Sequence, residues 1–230
     1  MRETIRIYGR AEGHDLSERS EEAAGFVTSS IMRALDIAVA DEHVTEVVIR
    51  FDSLGGVLTG IPDLANAIRA AGGRKAVTGF VVRHCCSAAY FLASQCQQII
   101  CVPHGLVGSV GVVREPDGHF GAGSYYVAAG RLKAAGRARI QLPANEEAAM
   151  QASVDREYGR FVSAVAAGRG VSRAEVLHGY GEGAAVDAGT AMRAGMVDRI
   201  ASTLDPVEIS ASMAKRYARL REQSAATWRH

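Results

Sequence analysis

Long apolar runs, an excess of basic residues and metal-type cysteine spacing are all missing from this chain. No stretch of 18 apolar residues occurs in the 230-residue sequence, so no membrane span is expected. The opening MRETIRIYGRAEGHD has no apolar core of signal-peptide type, so no secretory leader is expected. Basic and acidic residues number 26 and 25, a formal net charge of +1. That balance argues against nucleic acid as the main partner, because phosphate binding needs a clear basic excess. Arg216, Arg219, Arg221 and Arg229 are a local exception that reads as a solvated helix face. The four cysteines, Cys85, Cys86, Cys96 and Cys101, form no C-x-x-C pair, and the two adjacent ones diverge. They read as buried free thiols of a reducing, cytoplasmic protein. No metal and no cofactor are expected.

The chain also has no repeat and no Pro/Ser-rich linker. One domain over residues 1–204 is therefore expected, followed by an amphipathic helix or tail over 205–230 that carries Ile209, Met213 and Leu220. At 48% hydrophobic and 22% charged, the chain can build a sizeable core. Its pattern alternates strands and helices. Strands are expected at 4–8, 44–51, 76–82, 98–102, 106–113, 125–128 and 197–200. Helices are expected over about 17–40, after Gly55-Gly56 as far as Gly72-Gly73, and from Ser87 over SAAYFLASQ. Further helices follow: a long one behind Pro143 and Asn145 that stops at Gly168-Arg169-Gly170, a short one boxed by Ser172 and Glu175, and one from Asp187 to Gly195. This order means an α/β protein with a largely parallel sheet, whose sites form at the carboxyl ends of strands.

Two strand ends carry unusual chemistry. Ser87 stands where a buried strand turns into a helix, among the small neighbours Cys86, Ala88 and Ala89. A hydroxyl there points off the sheet with helix N–H groups beside it, as a nucleophile needs. A serine in that place is ordinarily an N-cap. Gly55-Gly56 follows a central strand and can expose N–H groups to an oxyanion or a substrate strand, or can be a plain turn. Lys133 is the only lysine between Lys75 and Lys215, within AAGRLKAAG. Lysine can be desolvated to a neutral amine and act as a base, whereas arginine cannot.

Five stretches together resemble the signal peptide peptidase A (protease IV) family of Ser/Lys serine proteases. They are IRFDSLGGVLTGIPDLANAI, VVRHCCSAAYFLASQCQQIICVPHGLVGSVGVV, AAGRLKAAG, FVSAVAAGRGVS and AVDAGTAMRAGMVDRI, in the family's order and covering about residues 44–204. The resemblance implies a Clp-protease/crotonase-like fold, Ser87 as nucleophile and Lys133 as general base. It implies an oxyanion hole from the backbone N–H groups of Gly55 and Ala88; Gly56, from the turn chemistry above, is expected against the substrate. It also implies a protein or peptide substrate and a homo-oligomer whose active sites are shared between subunits. Residues 141–204 look most like the phage capsid (prohead) maturation proteases, which would make capsid or scaffold proteins the substrate. Two departures stand out: Leu54 replaces the usual proline, and His84-Cys85-Cys86 is bulkier than the usual small residues. A Clp-type Ser-His-Asp triad stays open at this level, because His104 and His119 flank the strand expected at 106–113. So do a crotonase-like acyl-CoA enzyme, an inactive shell protein of the same fold and a cysteine nucleophile.

Overall fold

A computed structural model describes residues 1–11, 28–114, 127–133 and 144–204. Strand β1 (Arg2–Ala11) leads, after a gap, to helix α1 (Thr28–Ala40), strand β2 (Glu46–Gly56) and helix α2 (Ile61–Gly72). Strand β3 (Ala76–Cys86), the short helix α3 (Ala88–Ala93) and strand β4 (Gln98–Cys101) follow. Then come β5 (Leu106–Gly108), β6 (Val112–Arg114) and β7 (Val127–Ala129), and the long helix α4 (Ala144–Arg169). The chain closes through α5 (Arg173–Gly179), β8 (Ala185–Asp187), α6 (Ala188–Arg193) and β9 (Arg199–Ile200).

Strands β1-β2-β3-β4-β9 lie side by side and parallel. Parallel strands need crossover connections, and α1, α2 and α3 supply them. Strand β5 adds in parallel to the upper half of β3, and the antiparallel β8 continues beyond it. The two faces of the sheet are unequal: one is wholly apolar, and the other carries Glu46, Arg50 and Asp52 of β2 beside a smaller apolar cluster. Val47, Ile49 and Phe51 of β2 face the main core with Ile61, Leu64 and Ile68 of α2, while Val48 turns to a second cluster with Phe80 and Ile100. Full burial of one such side chain contributes about 1.5–3 kcal/mol.

The expected elements are found, with three differences. The helix expected over 17–40 is described only from Thr28, and its earlier part lies outside the described residues, as do the expected strand start at 125–126, Pro143 and the tail 205–230. The strand expected over 106–113 is two strands, broken at Ser109, whose φ is 52°. Strand β8 was not expected; three residues are too few for a period-2 pattern to register. The capping box of α5 is present: Ser172 Oγ accepts from Glu175 N at 3.1 Å, and Glu175 Oε2 accepts from Ser172 N at 2.7 Å.

One ion pair ties the lower body together. Arg169, at the end of α4 and 7% exposed, donates to Asp198 Oδ1 at 2.7 Å and Oδ2 at 3.0 Å, and to Gly195 O at 2.8 Å. Burial alone would lower the guanidinium's pKa, but the Asp198 carboxylate outweighs it and raises it. Asp198 Oδ2 in turn accepts from Ile99 N at 2.7 Å, which joins the pair to β4. Arg169→Met should therefore destabilise the fold by about 3–5 kcal/mol, because it leaves a covered carboxylate uncompensated. Urea unfolding of the two proteins measures this, and a loss under about 1 kcal/mol, the scale of an exposed pair, would contradict it.

Candidate active site

The carboxyl ends of β2, β3 and β5 converge on one turn. Ser87 follows β3 directly at φ 54° and ψ −124°, a region that side-chain-bearing residues rarely occupy. Holding it there costs about 1–3 kcal/mol, and such outliers gather at functional sites. Its N–H is fixed by Gly108 O at 2.8 Å. Its side chain makes no cap hydrogen bond to α3, so the ordinary N-cap reading of this serine does not hold.

The hydroxyl meets Lys133 instead. Lys133 Nζ lies 2.9 Å from Ser87 Oγ, 2.9 Å from Ser109 Oγ and 2.7 Å from Ser109 O. Lys133 sits in the turn after β7, where its N–H donates to Gly130 O at 2.9 Å. Close packing sets its path: a Cβ on Gly111 would fall 3.0 Å from Lys133 Cβ and 2.5 Å from Ala129 O. The break between β5 and β6 now has a purpose, since the turned backbone of Ser109 presents both of its oxygens to one amine. This pairing lies within one chain, so no neighbouring subunit is needed to bring a lysine to Ser87.

Gly55 lies against the same turn. A Cβ on it would stand 2.7 Å from Ser87 Cβ and 3.0 Å from Ala88 N, and its φ is +100°, so only glycine fits. Ala88 N–H opens α3, where first-turn N–H groups have no acceptor inside the helix. Gly55 N–H, however, donates to Ser53 Oγ at 3.1 Å within the buried turn. An incoming oxygen must share or displace that bond. Gly56 continues β2 and pairs with Ala11 of β1. Leu54 is 69% exposed, so the residue that replaces proline points away from the packed turn.

The other candidate nucleophiles and bases lack this arrangement. His104 is exposed after β4, and His119 lies outside the described residues. His84 Nδ1 lies 3.3 Å from Asp52 Oδ1, and Arg83 Nη2 donates to Asp52 Oδ2 at 2.7 Å. Burial would raise the Asp52 pKa, but these hydrogen bonds outweigh it and hold the carboxyl below its ordinary value. Cys85 and Cys86 are buried, and burial pushes both thiols up, that of Cys86 against the pull of Lys133. Thiols in that state are poor nucleophiles.

Sequence reasoning gave no role to Ser53, Ser109 or the Asp52–His84–Arg83 cluster. Ser109 lies in GLVGSVGVV, and its place between Gly108 and Gly111 was the available signal. Removal of its hydroxyl should lower kcat by about tenfold with KM little changed, the effect of one hydrogen bond that aims a base. Ser109→Gly is the suitable variant, because glycine accepts the φ of 52°. Steady-state kinetics checks this, and unchanged kcat would remove Ser109 from the site.

The model of peptidase family S49 matches residues 71–216, more than half of the chain. The chain belongs to peptidase family S49. Two relatives match the chain as well. The head-tail preconnector protein GP5 of Enterobacteria phage P21 is 29% identical over 188 residues, 79% of this chain and 37% of that protein. A Synechocystis sp. protein with a provisional protease name is 24% identical over 202 residues, 84% of this chain and 73% of that one. The chain thus spans little more than a third of the phage protein. Among solved structures, a ClpP1 variant from Listeria monocytogenes superposes with a TM-score of 0.52 over 87% of this chain and 91% of that chain, at 14% identity. That likeness shows the fold, so this S49 chain has the ClpP-like architecture. No helix among the described residues is long and apolar enough to cross a membrane.

Proposed function

We propose that the protein is a serine endopeptidase that cleaves protein substrates with Ser87 as nucleophile and Lys133 as general base. The observation that carries this reading is the 2.9 Å contact between Lys133 Nζ and Ser87 Oγ at a strained strand-to-helix turn, in a chain of a peptidase family. A neutral amine has two hydrogens and one lone pair. With the hydrogens on Ser109 O and Ser109 Oγ, the lone pair faces the Ser87 hydroxyl. Ser87 Oγ attacks the scissile carbonyl carbon while its proton passes to Lys133 Nζ. The oxyanion takes hydrogen bonds from Ala88 N–H and from Gly55 N–H, the latter released from Ser53. Lys133 then gives its proton to the leaving amine, which departs and leaves an acyl-serine. A water that loses one proton to Lys133 attacks this ester, Oγ takes that proton back as it leaves, and the released carboxylic acid loses its own proton to solvent.

The substrate segment is expected to run beside Gly56, whose missing side chain admits another backbone. The phage relative is named for a head-tail preconnector, which favours capsid or scaffold proteins as substrates here. Assembly into a homo-oligomer belongs to the same proposal. A Ser-His-Asp reading has less support, because no histidine among the described residues bonds Ser87.

Labelling with a fluorophosphonate probe tests the nucleophile directly. Peptide mapping should find the adduct on Ser87, and no labelling should occur in Ser87→Ala. An adduct on another residue, or none in a protein shown to be folded, would overturn the assignment.

A further inference from the structure

A groove of about 380 Å³ lies between α2 and α4 and shares no residue with the Ser87–Lys133–Ser109 cluster. Leu58, Pro62 and Ala65 line one side, Ala164 and Ala167 the other, and Phe91 of α3 lies between them. Arg69 is one of two arginines in the lining. Arg69 is half-buried, and its Nε (at 3.1 Å) and Nη2 both donate to Gln95 Oε1. Gln95 is itself 1% exposed. Its Nε2 donates to Ser94 Oγ at 2.7 Å, Ala164 O at 3.1 Å and Phe91 O at 3.3 Å. The two carbonyls accept only, so the amide nitrogen must face them and the amide oxygen must face Arg69.

The guanidinium is therefore clamped by a neutral, fixed acceptor and faces no carboxylate partner among the described residues. The other charged residues of the groove, Arg160 and Glu157, pair with each other at 2.9 Å. One positive charge is left uncompensated where burial already works against it. A held guanidinium has further N–H donors in a planar fork, the geometry that takes a carboxylate on two parallel hydrogen bonds. The volume is that of a small-ligand site: mostly apolar, with few placed polar groups, and wide enough for about two apolar side chains. Asn66 in the same wall offers an amide that a peptide backbone can pair and an alkyl chain cannot.

We infer that this groove binds the carboxyl-terminal end of an apolar peptide, its last side chains between α2 and α4 and its terminal carboxylate on Arg69. This goes beyond the proposed cleavage at Ser87 and does not depend on it. A peptidase meets such ends both as product and as substrate tails, so the groove would hold a processed chain by its new terminus.

Fluorescence anisotropy on the full chain tests the site with a labelled Ala-Leu-Leu peptide in two forms, free acid and carboxyl-terminal amide. The acid should bind at least about tenfold tighter, as a charge-assisted fork allows. Arg69→Gln should bring the acid down to the affinity of the amide, while Arg69→Lys should keep part of the preference. Equal affinity of acid and amide for the wild-type chain overturns the inference, and this comparison needs no variant to fold. Preference for the acid that survives in Arg69→Gln also overturns it, because the carboxylate would then sit elsewhere. Decanoate that displaces the label more strongly than unlabelled Ala-Leu-Leu would assign the groove to alkyl carboxylates and reject the peptide.

Discussion

Ser87→Ala is expected to lose peptide-bond hydrolysis by a factor on the order of 10⁶, the scale seen when a serine peptidase loses its nucleophile. The fold should stay intact, for a reason specific to this turn. Ser87 holds φ 54°, and serine and alanine both carry a Cβ, so the backbone strain is common to both. The hydroxyl does not cap α3, so the helix loses nothing when it goes. What disappears is one contact of Lys133, which keeps its two contacts to Ser109. Thermal melting should therefore move little while cleavage of a denatured protein substrate stops. Hydrolysis at the wild-type rate in this variant would sink the nucleophile assignment and with it the proposed function.

Much of the architecture was legible because parallel β/α chains announce themselves. VTEVVIRF and AVTGFVV are rich in β-branched apolar residues, glycines punctuate the helix ends, and the first three strands each feed a helix. The five stretches in family order also marked Ser87, Gly55 and Lys133. Other features depended on distance in space. FVSAVAAGRGVS and AVDAGTAMRAGMVDRI were recognisable as two stretches, but nothing in the sequence joins Arg169 of one to Asp198 of the other. Ser109 was hidden by its surroundings: apolar LVGSVGVV reads as one strand, and only the left-handed turn reveals a serine facing an amine. The Gly55 N–H was expected to be an open donor, and the hydroxyl two residues earlier already occupies it. Such short-range side-chain-to-backbone bonds compete for the same groups that a site uses, and residue spacing alone does not decide which acceptor is bonded.

Lys133→Arg should be as inactive as Ser87→Ala, although it keeps the charge. A guanidinium holds its proton throughout the usable pH range and cannot accept one from Ser87. Its fork is also bulkier than an amine, and Gly111 already closes on the lysine stem. In the wild-type protein a lysine base works only in the fraction that has lost its proton, so kcat/KM should climb as pH rises. An activity limb centred near about pH 6.5 would instead report a histidine. The same two residues decide whether sites are shared between subunits. Ser87→Ala and Lys133→Ala, mixed under conditions that exchange subunits, should remain inactive, because Lys133 meets Ser87 of its own chain and each chain still lacks one member. If the base instead came from a neighbour, about one interface in four of a randomly mixed ring would hold both intact residues, and activity would return. Recovery on that scale, with subunit exchange demonstrated independently, would move the dyad to the interface between chains and contradict the 2.9 Å contact within one.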